Sequence, residues 1–520
     1  MTHAVTFGGG LLACAIIAAL CYGSPNLIAP QLGLLGLGAP LVWLVWVRPE
    51  MGLLGLVTLT AGLIPLSSLY LPLPIGGLFD YDLILVGLFC LLALRGLMYD
   101  GLRIEWWPVS KPLLVFLAMA VASVVYAVSF REVDLAHSLN ELRPLIYYGA
   151  SIVVAMALTR ASHRTTLLIG LFILADVVSA ALIFQQFAGA GRYLFPGMAE
   201  WQVNDVGAGG VTDTISSQDS GFGLLRIVPP AAQLMFVIMI LAFLWSLAPG
   251  LRPAVRIMCA AQCVLLNVGL LLTYTRAQWI ASVLSVIIIA LLVPHALRVR
   301  LAQGLVGVVG LCALVFVLFQ AGVQLPGTAI QPAVEAMLGR ATSILSPDAT
   351  LNSASLQWRA FENEAALNSL VESPQGVGLG NTYRAITAYA GEAAGYQGSP
   401  LNGFMHNSYL YIGVKTGLQG LGAFLWFCLA VLVHGWRLFR NMPNGPDRWL
   451  VLAVLASFVG ILQWSVTEPN FMQTGATVTV GVMVGLLASL TRSAAPVTRT
   501  AAAPAEVQDV AGRQLVGAAS

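Results

Sequence analysis

Charge is scarce in this sequence of 520 residues, where Asp, Glu, Lys and Arg together supply only 9%. Lysine occurs just twice, at Lys111 and Lys415, and the formal net charge is +2. A nucleic-acid-binding surface needs a dense basic face, so that class is excluded. Cysteine is sparse and poorly placed for cross-linking. All seven, Cys14, Cys21, Cys90, Cys259, Cys263, Cys312 and Cys428, fall inside apolar runs. A disulfide scaffold and a thiolate zinc site are therefore not expected.

What is present is apolar residues, 58% of the chain, with a mean hydropathy of +0.84. Soluble domains do not have that composition. Runs of about 18 to 22 apolar residues recur, each long enough to cross a hydrocarbon core of roughly 30 Å as a helix. The expected fold is an all-α polytopic membrane bundle of about 14 transmembrane helices. Spans are placed near 5–22, 30–47, 51–70, 81–98, 111–130, 143–159, 166–187, 228–248, 256–274, 277–294 and 303–322, with three more near 414–435, 449–467 and 472–491. The first run has no Lys or Arg before it, and Ala18-Ala19-Leu20 before Cys21 does not fit lipoprotein cleavage, so it reads as a retained helix.

The domain pattern is an N-terminal bundle over 1–322, a large loop over 323–404, three closing spans over 405–491 and a disordered tail over 492–520. Arg48, Arg95, Arg160, Arg164, Arg252, Arg256, Arg298, Arg437, Arg440 and Arg448 gather on one face. The positive-inside rule makes that face cytoplasmic, with both termini on it. Asp80, Asp82, Glu132, Asp134, Glu141 and Glu200 lie on the opposite, periplasmic face. The 323–404 loop is partly helical, because Leu356, Phe361, Leu367, Leu370 and Val371 recur at helical spacing before Pro374 and a run from Gly376 to Gly380.

Two residue types on that outer face carry chemistry. His406 stands where the folded loop re-enters the membrane, in Met405-His406-Asn407-Ser408-Tyr409-Leu410. A group that titrates near neutrality at a half-buried interface suits acid–base work. The plain alternative is a histidine hydrogen-bonded to loop backbone. Arg276 sits in an almost lengthless connection between two spans, Arg143 is placed at the opening of another, and Arg226 precedes Pro229-Pro230. Guanidinium groups hold phosphate oxygens bidentately and keep their charge, so a converging set makes a diphosphate clamp. Interfacial snorkelling, or an ion pair with Glu141 or Glu468, is the alternative for each. Gly376, Gly378 and Gly380 read as a turn rather than a phosphate cradle.

From about Val264 to Leu425 the chain resembles the O-antigen ligase and O-antigen polymerase superfamily of bacterial envelope glycan enzymes. The resemblance rests on Thr273-Tyr274-Thr275-Arg276-Ala277-Gln278-Trp279, on a loop helix from Arg359 leading to the turn that ends at Asn381, and on His406-Asn407-x-x-Leu410 followed by Gly417-x-x-Gly420. It implies transfer of a glycan from a polyprenyl diphosphate carrier to an acceptor hydroxyl, a glycan or lipid, at the periplasmic side of the bacterial inner membrane. No cofactor and no metal are then required. By this resemblance His406 is the catalytic residue and Arg276 and Arg359 bind diphosphate, with Arg143 and Arg226 as looser matches; Asn407, next to the histidine, is expected to orient the ring or the loop. Around Arg226 the match is loose, since Val228-Pro229-Pro230-Ala231 replaces the usual Asn-Pro-Asn, and Lys415 stands where relatives are often acidic. Polymerisation of surface polysaccharide repeat units is the near alternative. A lipid-linked glycan flippase is the distant one, prompted by Asp176 inside a span but opposed by the lack of an inverted repeat.

Overall fold

The computed structural model describes residues 43–64, 70–71, 78–95, 97–98, 107–158, 160–188, 193–199, 201, 214–215, 224–225, 227–303, 354–383 and 405–494. The expected spans near 5–22 and 303–322, most of the span near 30–47, Arg226, the rest of both long loops and the tail lie outside the described residues.

Helices dominate. In chain order they are α1 (Pro49–Thr60), α2 (Asp80–Arg95), α3 (Ser110–Phe130), α4 (Leu135–Ile146), α5 (Ala150–Ala157), α6 (Ala161–Ala188), α7 (Ala232–Leu247), α8 (Pro253–Leu272) and α9 (Arg276–Leu292). The loop helix α10 (Ala354–Glu372) follows, and then α11 (Ser408–Asn441), α12 (Pro446–Trp464) and α13 (Thr474–Ala494). Two two-residue antiparallel ladders, Tyr70–Leu71 with Leu78–Phe79 and Thr214–Ile215 with Leu224–Leu225, are the strand pairings among the described residues. Six described helices are long and apolar enough to cross a membrane, and α7 and α9 are shorter apolar ones.

Several expected spans change shape for local reasons. The span expected near 51–70 stops at Thr60, and just beyond it Gly62 takes φ +73 and its carbonyl accepts from the Trp201 indole at 2.6 Å. The expected span 143–159 is instead a broken run: α4 begins at Leu135, a 3-10 turn covers Tyr147–Gly149, and α5 ends at Ala157. Pro144 within α4 removes a backbone donor there. Arg143 therefore lies in the last turn of α4 and does not open a span.

Lipid is as apolar as leucine, so close packing and interhelical hydrogen bonds must hold such helices together. Glycines on α13 let it lie flush against α5, and a Cβ at Gly485 would sit 2.5 Å from Val154 Cβ. Polar side chains bridge helices at depth: Gln262 on α8 donates to Asp176 on α6 at 2.8 Å, and Ser285 on α9 donates to the Ala456 carbonyl on α12 at 2.9 Å. Each such bond is worth on the order of 0.6 kcal/mol in a membrane protein. Asp176 thus has a structural partner between two helices.

The helix pairings have defined directions. Ser123 donates to Lys415 O, Phe116 meets Phe424, and Trp107 meets His434, so α3 and α11 run antiparallel. His434 and the Arg164–Asp447 pair fall at one end of the bundle, while His406, Glu141 and Glu468 fall at the other.

Candidate active site

The start of α11 is fixed by Asn407. Its side-chain oxygen accepts from the backbone N–H of Tyr409 at 3.0 Å and of Leu410 at 3.2 Å, capping the orphan donors of the first turn. That cap places His406 one residue outside the helix, facing α10. There its ring nitrogen Nδ1 lies 2.8 Å from Glu362 Oε2 and 3.1 Å from Oε1, and its backbone N–H donates to the same carboxylate at 3.2 Å. Glu362 is buried, with 1% of its side chain exposed, while the imidazole is 28% exposed. An ionised carboxylate only accepts, so Nδ1 carries the hydrogen of this contact, and in the neutral ring the lone pair is then on Nε2. Asn407 orients the helix start, and the ring is held by Glu362.

Glu362 was not singled out by the sequence pattern. The available signal was its position three residues after Arg359 on a helix, which puts both on one face. Arg359 Nη2 donates to Glu468 Oε1 at 3.0 Å, an acid that the sequence offered as a partner to Arg276, Arg143 or Arg226. Its buried Nε has no hydrogen-bond partner among the described residues. The segment bearing Glu468 is tied to the start of α11, since Ser408 donates through its hydroxyl to Glu468 O at 2.9 Å and through its backbone to Ser465 O at 3.0 Å. His406, Glu362, Arg359 and Glu468 therefore form one cluster.

Arg276 is the first residue of α9, after a turn of three residues, Thr273–Thr275. The turn holds Tyr274 at φ 52, a left-handed conformation that a bulky residue adopts only under constraint. Tyr274 is fully buried, and its hydroxyl has no hydrogen-bond partner among the described residues. Thr273 braces the turn by donating to Gln278 Oε1 at 2.9 Å. Ser285 bonds Ala456 O, and Gly460 faces Ala281 O, so α9 runs antiparallel to α12. Extended one turn further, that register sets Arg276 opposite Ser465, at the level of the histidine cluster.

Arg143 is held by a different acid. Its Nε pairs with Asp82 at 3.1 Å, and the Tyr147 hydroxyl donates to the same carboxylate. Asp82 belongs to an Asp80-Tyr81-Asp82 triplet at the start of α2. No group of three or more His, Cys, Asp or Glu suited to a metal occurs among the described residues.

The glycine run is a turn wedged into a broken helix. Gly417 has φ 78 and ψ 175 inside α11, which frees backbone groups on both sides of the break. The loop takes them up: Val377 N–H donates to Val414 O at 2.8 Å, Gly378 N–H to Lys415 O at 3.1 Å, and Leu418 N–H to Pro374 O at 2.9 Å. Leu379 N–H donates to Ser123 Oγ and Gly380 N–H to Glu141 Oε2 at 2.7 Å. These N–H groups face protein acceptors, which decides against a phosphate cradle. Gly376, Gly378 and Gly380 all have positive φ, and a Cβ at Gly376 would lie 2.5 Å from Gly417 N.

Residues 261–425 match the family model of O-antigen ligase. Over that stretch the chain is similar to the O-antigen ligase family. Arg276, Arg359, Glu362, His406 and Lys415 all lie within the matched stretch, whereas Glu141, Arg143 and Glu468 are contributed from outside it. A comparison with curated proteins yields no match.

Proposed function

We propose that this protein transfers a glycan from a polyprenyl diphosphate carrier to an acceptor hydroxyl at the periplasmic face of the bacterial inner membrane, without a metal or other cofactor. The reading rests on one observation above all, the His406–Glu362 contact of 2.8 Å inside the stretch similar to the O-antigen ligase family. The acceptor oxygen attacks the anomeric carbon as the bond to the diphosphate oxygen breaks. Its proton passes to Nε2 of neutral His406, and Glu362 stabilises the imidazolium that forms. The departing diphosphate carries away the bonding electron pair, and its developing charge calls for fixed cations. Arg276 and Arg359 are assigned that task, with Arg143 and Arg226 as further ligands. Arg359 already shares Glu468, so it meets the diphosphate through its remaining N–H edge. Purified protein given lipid-linked oligosaccharide tests the proposal: the acceptor elongated, lipid A–core or a second repeat unit, separates ligase from polymerase. Turnover with neither would refute it.

A further inference from the structure

Lys415 is fully buried, an expensive place for one of only two lysines. Its ammonium donates to Glu141 Oε1 at 2.7 Å and to the Asn381 carbonyl. The other oxygen of Glu141 receives Gly380 N–H. Three segments distant in sequence thus meet at one pair: α4 through Glu141, α11 through Lys415, and the loop after α10 through Gly380 and Asn381. The pair closes the same joint at which the loop replaces the hydrogen bonds broken at Gly417.

We propose that the Lys415–Glu141 ion pair is the positioning element of the transfer reaction, locking the loop after α10 into the break in α11 and so setting Glu362 against His406. The proposal rests on the reading of His406 as the base. Helix α10 is pinned at its earlier half by Arg359–Glu468 and Glu362–His406. Its far end, Glu372, runs straight into the locked loop. Tyr383 lies two residues beyond Asn381, buried and beside Glu362. Burial first, and then the Glu362 charge, hold its hydroxyl above the usual range. Tyr411, one turn before Lys415, interacts with Glu141 and with Tyr383, and both tyrosines are buried in the same core, so the pair and Glu362 share one interior. A buried charge is strongly coupled to its counter-ion, because removing that carboxylate leaves the ammonium uncompensated.

The test reads loop docking directly. In full-length protein lacking its native cysteines, Gln375→Cys and Gln419→Cys are bridged by a short bifunctional thiol reagent, since Gln419 Nε2 donates to Gln375 O at 3.0 Å. Lys415→Met and, separately, Glu141→Gln should slow bridging by about tenfold or more, with the double variant no slower than the slower single one. Transfer should fall in parallel, and the preformed bridge should restore it to within about threefold. Bridging at the unaltered rate in both single variants overturns the proposal. So does a bridged Lys415→Met protein that stays inactive while the bridged protein with Lys415 is active, because Lys415 would then act on substrate. If the unaltered protein transfers to no acceptor, the reading of His406 fails, whereas the bridging rates still decide whether the pair docks the loop.

Discussion

Glu362, buried on α10, grips His406 at the mouth of α11 through both the imidazole Nδ1 and the backbone N–H. A single carboxylate thus fixes the ring's position and its tautomer. Removing its charge while keeping its shape should misalign the proton without unseating the helix. Glu362→Gln is expected to lower transfer by roughly 100- to 10,000-fold with donor binding retained, the range for losing an oriented base. Single-turnover assays at equal membrane abundance check this, and unaltered transfer would remove Glu362 from the mechanism.

The two ends of the bundle should differ in accessibility. Val371 on α10 is 80% exposed. In a cysteine-free background, Val371→Cys should react with an impermeant thiol reagent from the periplasmic side. Asn444→Cys, between α11 and α12, should react only after the membrane is permeabilised. The reverse pattern would invert the topology.

Arg276→Lys preserves charge but turns a bidentate fork into a point charge. Most transfer activity should be lost, and weaker donor binding should accompany the loss. A chelator should leave the unaltered enzyme unaffected, and inhibition reversed by magnesium would contradict a metal-free diphosphate clamp.

Gly376→Ala places a Cβ 2.5 Å from Gly417 N in a residue at φ +88. Strain of this kind costs on the order of 1–3 kcal/mol. The melting temperature of the detergent-solubilised protein should fall. Gly422→Ala, where nothing lies within 4 Å of an added Cβ, should leave it level or raise it slightly.

The long apolar helices were legible because composition and periodicity leave little choice over 110–130, 161–188 and 446–464. The interruptions were less so. The break at Gly417 depends on partners from a loop some 40 residues earlier in sequence, the break after Ile146 follows Pro144, and neither leaves a mark on local hydropathy. His406 and Arg276 stood out as polar residues at the ends of apolar runs. Glu362 did not, because an acid on an amphipathic loop helix resembles a solvated face until the tertiary fold buries it. Lys415 was visible as an oddity inside a span, but its meaning required Glu141, which lies 274 residues away.

The central claim, that His406 takes the acceptor's proton, is tested most directly by single-turnover transfer with His406→Ala at matched membrane abundance, alongside donor binding. The account predicts a rate lower by about 100- to 10,000-fold with donor affinity unchanged. Near-normal transfer by the alanine variant would contradict it.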